Sequence, residues 1–265
     1  MEQYFIKEDI KRIDVMDQRW YEIQEGEKKH FFPGVTTYLE AFPKGFGFRN
    51  WLKATGYNSE ILFERAGAFG AQFHSFIEKT LHGEKVKFVE HETDIKLWER
   101  YLIWCEFWKE LNQKGKVVYD PTMIEYMVYD LGNRCAGTVD FLPTVGNKTV
   151  IMDWKSGNWV EDEAEMQLSA YWDMTEKLYS IEIQEGWICH FPEKKPNKKG
   201  YKIKIITPEQ KEVNASDFRH VQAVWHRANP NAKPKFLQYP MEIDLQYIQE
   251  NEIIKREATS ENLNS

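Results

Sequence analysis

Between residues 58 and 191 the spacing of apolar residues changes period, and that change restricts the chain to one layout. From 58 to 82, Ile61, Leu62, Ala66, Phe69, Phe73, Phe76, Ile77 and Leu81 recur every three or four residues, the spacing of a helix with one apolar face. Gly67 and Gly70 fall mid-segment and predict a break or kink. A second helix is predicted over 94–113, through Leu97, Tyr101, Trp104 and Trp108, closed by Gly115. Short strand-like runs follow at 122–129, 135–142 and 149–154, with turns at 130–133 and at Gly146-Asn147. A helix over about 161–180, a strand over 185–191 and another over 202–206 complete the pattern. Helix, three antiparallel-looking strands, helix, strand is an α/β unit built on one sheet.

On either side the chain is simpler. Residues 11–35 read as a hairpin turning at Glu25-Gly26-Glu27, and Thr36 or Thr37 is placed to cap a short helix. A Gly-rich loop, Pro43 to Gly47, comes next. Thr207-Pro208-Glu209 opens a helix that runs to about Arg227, and the last twenty residues are polar and expected to fray. There is no internal repeat. The predicted organisation is an N-terminal hairpin and helical extension over 1–57, a core over 58–240 and a polar tail over 241–265.

A hydrophobic fraction of 42% and a charged fraction of 29% are those of a globular chain. The net charge of −7 excludes a polycation that coats nucleic acid indiscriminately, though not a local basic groove. Cys105, Cys135 and Cys189 are too widely spaced for a structural zinc or a four-Cys iron–sulfur cluster, and their odd number argues against a disulfide framework. The acidic start is no secretory or transit signal, and no apolar run reaches membrane length, so a cytoplasmic protein without membrane partners is expected.

The chemistry concentrates in Gly137-Thr138-Val139-Asp140, in Val150 to Gly157 and in Gln167 to Tyr171. Asp153 and Lys155, two apart on a strand, share a face at its C-terminal end. An apolar strand ending in a charged pair is costly to bury unless the charges are used. If the two strands pair through the Gly146-Asn147 turn, Asp140 and Asp153 are near cross-strand neighbours. Two adjacent carboxylates repel, and a divalent cation such as Mg²⁺ or Mn²⁺ removes that penalty. Lys155 then supplies a cation to a phosphate or an activated water, the equipment of metal-assisted phosphodiester hydrolysis. His74, on the first helix, offers a further ligand. Gln167 and Tyr171, four apart, face one way on the helix after Lys155.

This set, His74, Asp140, Asp153-x-Lys155 and Gln167-x-x-x-Tyr171, resembles the PD-(D/E)XK nuclease superfamily, in particular its RecB-like exonuclease branch. The resemblance spans roughly residues 58 to 192. Phe32-Pro33-Gly34-Val35-Thr36-Thr37 after the hairpin also looks like the lead-in of phage and mitochondrial genome-maintenance exonucleases of that branch. The resemblance implies a restriction-endonuclease-like core, a mixed central sheet flanked by helices. It implies Asp140 and Asp153 as principal metal ligands, with the Trp154 backbone carbonyl and His74 as additional ones. Lys155 would orient water or stabilise charge on the phosphate, and Gln167 and Tyr171 would position the backbone. The implied substrate is DNA, single-stranded or with free ends, in a repair or recombination setting. An endonuclease with the same site, a non-catalytic nucleic-acid-binding subunit and an RNA substrate are alternatives. The sequence departs from the family's pattern at Val139, where a Pro is usual, and it lacks the four cysteines of some relatives.

Other residues have plainer readings. Glu78 reads as a surface charge or the partner of an Arg or Lys; Glu125, on the first core strand, is within range to approach the metals but reads first as an ordinary solvent-facing strand residue. Tyr171 is equally well placed for the core, and Trp98, Trp104 and Trp108 are spaced like helix core. Lys194, Lys195, Lys198 and Lys199 form the densest basic run, either a solvated turn or a DNA contact. The segment 42–49 could stack on bases but more commonly anchors a loop.

Overall fold

A computed structural model of the chain describes residues 9–15, 18–158, 160, 162–237 and 242–250. In chain order the elements are β1 (Ile10–Val15), β2 (Gln18–Glu25), β3 (Lys28–Pro33), α1 (Val35–Leu39), α2 (Phe46–Thr55), α3 (Ser59–Leu81) and α4 (Ile95–Lys114). They continue as β4 (Val117–Val118), β5 (Ile124–Asp130), β6 (Cys135–Phe141), β7 (Thr144–Val145), β8 (Lys148–Lys155) and α5 (Glu163–Tyr179). Last come β9 (Glu185–His190), β10 (Lys202–Ile206), α6 (Pro208–Ala228) and α7 (Leu245–Glu250).

The helices begin and end where the chemistry of their termini dictates. The Asp94 carboxylate accepts from the Lys96 and Leu97 amides and caps α4, which stops at Gly115. Thr207 and Gln210 form a reciprocal capping box at the start of α6, with Pro208 in the first turn. Helix α3 departs from expectation, running unbroken through Gly67 and Gly70. Each glycine costs a helix about 1 kcal/mol, which the buried anchors Phe73, Ile77 and Leu81 offset. Nor do Thr36 and Thr37 cap α1: Gly34 occupies that position, with no side-chain cap bond, and both threonines lie inside the helix. The predicted hairpin is a three-stranded antiparallel sheet, because β1 adds to β2 outside it.

The central sheet has the strand order β10-β9-β8-β6-β5, with the short strands β4 and β7 paired beside β8. Among the described strands of this sheet only β8 and β9 run parallel, joined across α5; their neighbours are antiparallel. This is the mixed sheet flanked by helices that the resemblance implies. Alternate residues of β8 face opposite layers. Val150, Met152 and Trp154 pack with Phe73, Trp104 and Phe107 of α3 and α4, whereas Ile151 packs with Leu168 and Trp172 of α5. The stacked rings of Tyr101, Trp104 and Trp108 belong to the α3–α4 layer, as their spacing predicts. The N-terminal sheet meets the core through Tyr21, Ile23 and Phe32, packed on Tyr129 and Ala136. All three cysteines are free. No helix among the described residues is long and apolar enough to cross a membrane. The polar tail beyond residue 250 lies outside the described residues.

Candidate active site

Strands β6 and β8 pair at one position, Phe141 opposite Met152, and there the sheet forks. One residue toward the fork from that pair, Asp140 lies on one strand and Asp153 on the other. The Asp140 carboxylate takes over the role of the ladder: its Oδ2 accepts the Trp154 backbone N–H at 2.6 Å. Both aspartates are buried, yet both line an open cleft of about 410 Å³.

His74 reaches the fork from α3. Its Nε2 donates to the Trp154 carbonyl at 2.9 Å. Its Nδ1 lies 3.2 Å from Glu125 Oε1 and 3.4 Å from Asp140 Oδ1. His74, Glu125 and Asp140 offer ligand atoms all within 4.8 Å of one another, a group able to hold a metal ion. Burial disfavours the imidazolium, but the charges of Asp140 and Glu125 outweigh it and hold the His74 pKa well above its usual value. Burial, and then the Asp140 charge, push the Glu125 carboxyl upward, with His74 opposing.

Glu125 corrects the sequence reading. It does not face solvent as an ordinary strand residue; it sits in the cleft at φ 48°, a left-handed conformation inside a strand. That backbone state costs a non-glycine residue on the order of 1–2 kcal/mol. Its effect is visible in the neighbours: Ile124 packs in the α3–α4 layer, whereas Tyr126 packs toward α5. The twist lets Glu125 turn its carboxylate onto His74. The signal in the sequence was one acidic residue inside the apolar run TMIEYMVY. Glu78, read as a surface charge, also lines the cleft, one turn beyond His74.

From Asp153 a chain of polar contacts runs onto α5. The Lys155 ammonium lies 3.1 Å from Asp153 Oδ1 and 3.0 Å from Oδ2, and donates to Gln167 Oε1 at 3.0 Å. The Gln167 amide donates to the Tyr171 hydroxyl at 3.2 Å. Asp153 Oδ2 is buried and, although within ion-pair reach of Lys155, has no hydrogen bond of good geometry. Burial raises the Asp153 carboxyl to about 6; Lys155 opposes this and Asp140 adds to it. Tyr171 is buried, and burial first of all holds its phenol protonated. Gly137 explains how α5 comes so close: a Cβ there would lie 2.3 Å from the Tyr171 ring. Behind the site, buried Arg100 of α4 donates to the Ser156 carbonyl and fixes the chain just past Lys155.

His74, Asp140, Asp153, Lys155, Gln167 and Tyr171 thus meet in one cleft, with the Trp154 carbonyl at its edge. The basic run is elsewhere. Lys195 and Lys199 border a separate groove beside α4, and Lys199 is paired with Glu110. The segment 42–49 runs into α2, whose Phe48 and Trp51 pack ring on ring with Phe63 of α3. Sequence reasoning also missed Arg12 and Arg19, which reach the cleft from the N-terminal sheet; no local pattern announces them.

No known family model matches the chain, and no curated protein matches its sequence. Among solved structures it is similar to a candidate exonuclease from Eubacterium rectale, at 9% identity and TM-score 0.39, over 72% of this chain and 77% of that one. It is also similar to an alkaline exonuclease from Laribacter hongkongensis, at 10% identity and TM-score 0.31, over 75% of this chain and 94% of that one.

Proposed function

We propose that the chain is a divalent-metal-dependent nuclease that hydrolyses phosphodiester bonds, an exonuclease on single-stranded DNA or DNA ends. One observation carries this reading: three carboxylates, Asp140 and Asp153 buried and Glu125 half-buried, gather around the two cations His74 and Lys155 in an open cleft that also holds the Asp153–Lys155–Gln167 chain. Asp140, Glu125 and His74 would hold the ion, with Asp153 and the Trp154 carbonyl beside them. The donor set fits, since carboxylate and carbonyl oxygens suit Mg²⁺ or Mn²⁺, imidazole is accepted by Mn²⁺, and Asp153 Oδ2 lacks a hydrogen bond that a cation would replace. Such an ion lowers the pKa of bound water and neutralises charge on the phosphoryl oxygens.

The protein's own groups do the rest. In hydrolysis a water oxygen bonds to phosphorus and the bond from phosphorus to the leaving oxygen breaks, giving a phosphate monoester and a hydroxyl. The Lys155 ammonium, steered by Gln167 Oε1, donates to the water or to a phosphoryl oxygen. The Tyr171 phenol stays protonated and offers a neutral donor for a phosphate. Digestion of labelled single-stranded DNA with Mg²⁺ or Mn²⁺, beside chelator and Asp153→Ala samples, tests the reading. Activity surviving both changes refutes the metal assignment, and cleavage of a single-stranded circle refutes strict exonuclease action.

A further inference from the structure

We infer that Arg12 and Arg19, on the N-terminal sheet, form a clasp for a backbone phosphate of the DNA strand lying in the cleft. The inference rests on the nuclease reading and extends it to residues outside the central sheet. In the β1–β2 ladder Arg12 faces Tyr21 and Asp14 faces Arg19. Opposed residues and their second neighbours share one face of a sheet, so Arg12, Asp14, Arg19 and Tyr21 all lie on one side. That side is turned to the cleft, which Arg12, Arg19 and Tyr21 line together with Asp140 and Asp153.

The two arginines are held ready rather than consumed. A single carboxylate, Asp14, accepts Nε–H of Arg12 at 2.6 Å and of Arg19 at 3.1 Å. The terminal nitrogens of both make no hydrogen bond among the described residues. Two guanidiniums against one carboxylate leave one positive charge in surplus, with forked donors that match phosphate geometry. The rest of the cleft has no cation to spare for a phosphate: its walls carry Glu78, Glu125, Asp140 and Asp153, with His74 already on Asp140 and Glu125 and Lys155 already on Asp153. The clasp is also tied to the site. The Tyr21 hydroxyl bonds Thr138 Oγ1 at 3.1 Å, two residues before Asp140. Gly34, which closes this sheet, pairs with Ala136 of β6. A phosphate gripped there is held at a fixed offset from the carboxylates.

The test uses the full chain and a short dye-labelled single-stranded oligodeoxynucleotide, with Ca²⁺ in place of Mg²⁺ so that the strand survives. Binding is followed by anisotropy at several salt concentrations, and cleavage is measured separately in Mg²⁺. The R12Q/R19Q protein should bind about tenfold or more weakly, and its log Kd against log salt should be shallower by about 0.7, the contribution of one phosphate contact on a single strand. KM should rise with kcat nearly unchanged. The K28Q/K29Q protein removes the same charge from β3 of the same sheet and should match wild type. Each single arginine variant should show part of that loss in affinity and slope, which keeps the test open if the double variant folds poorly. Wild type that binds and cleaves, with R12Q/R19Q unchanged or no worse than K28Q/K29Q, overturns the clasp alone. Wild type that neither binds nor cleaves overturns the nuclease reading, and the clasp falls with it.

Discussion

The α5–α6 interface and the cleft at the end of β8 both bury charge, and they balance it in opposite ways. Between the helices, nearly buried Lys211 is met by Asp173, by Glu212 at 3.0 Å and by Glu176 at 3.4 Å, with Arg219 on the far side of Asp173. Burial pulls the Lys211 ammonium down, but its carboxylate partners prevail and raise it to about 12. At the cleft, carboxylates gather beyond what His74 and Lys155 match, a buried oxygen of Asp153 lacks a hydrogen bond and Glu125 holds a costly backbone angle. A buried ion cluster that serves stability brings its own partners. Buried carboxylates that wait for a ligand are left short of partners, as Asp153 is, and their sign names the ligand's charge.

Breaking the cleft should cost activity and not fold. Asp153→Ala should reduce Mg²⁺-dependent cleavage by at least about a hundredfold, with a thermal midpoint near wild type. Lys155→Ala should lose turnover to a similar degree while calorimetric titration still registers divalent-ion binding; lost binding would remove Lys155 from its assigned role. Breaking the α5–α6 cluster should do the reverse. Lys211→Met leaves its carboxylates without their shared partner and should cost about 2–4 kcal/mol in denaturant unfolding, with cleavage per folded molecule retained.

Smaller effects sharpen the contrast. Gly137→Ala drives a methyl into the Tyr171 ring and should destabilise by about 1–3 kcal/mol. Glu125→Gln should leave the metal-free protein at least as stable as wild type, because folding penalises the charged form of Glu125, while weakening divalent-ion binding. The last effect is a pH slope. Because the folded Asp153 pKa is raised from 3.8 to about 6, the folded state binds more protons than the unfolded state between those values. Unfolding free energy of chelator-treated protein should therefore fall as pH rises from about 4 to 6, and the fall should flatten in Asp153→Asn. An unchanged slope in that variant would place the titration on another group.

What could be read along the chain was whatever repeats at short range. Helical and strand periods located α3, α4, α5 and the strands β5, β6, β8, β9 and β10, and Asp153-x-Lys155 with Gln167-x-x-x-Tyr171 located the polar chain of the cleft. Neighbours in sequence fix such patterns, because period and parity are properties of a local backbone. Arg12 and Arg19 escape, and Glu125 stays open between solvent and the metals, for the complementary reason. A left-handed angle decides where Glu125 points, and packing of Tyr21 against Thr138 decides where the arginines lie. The amino-acid order by itself therefore determined the elements and half of a charged site. Only tertiary packing decided which further charges complete it, since contact between residues a hundred positions apart is written in no local period.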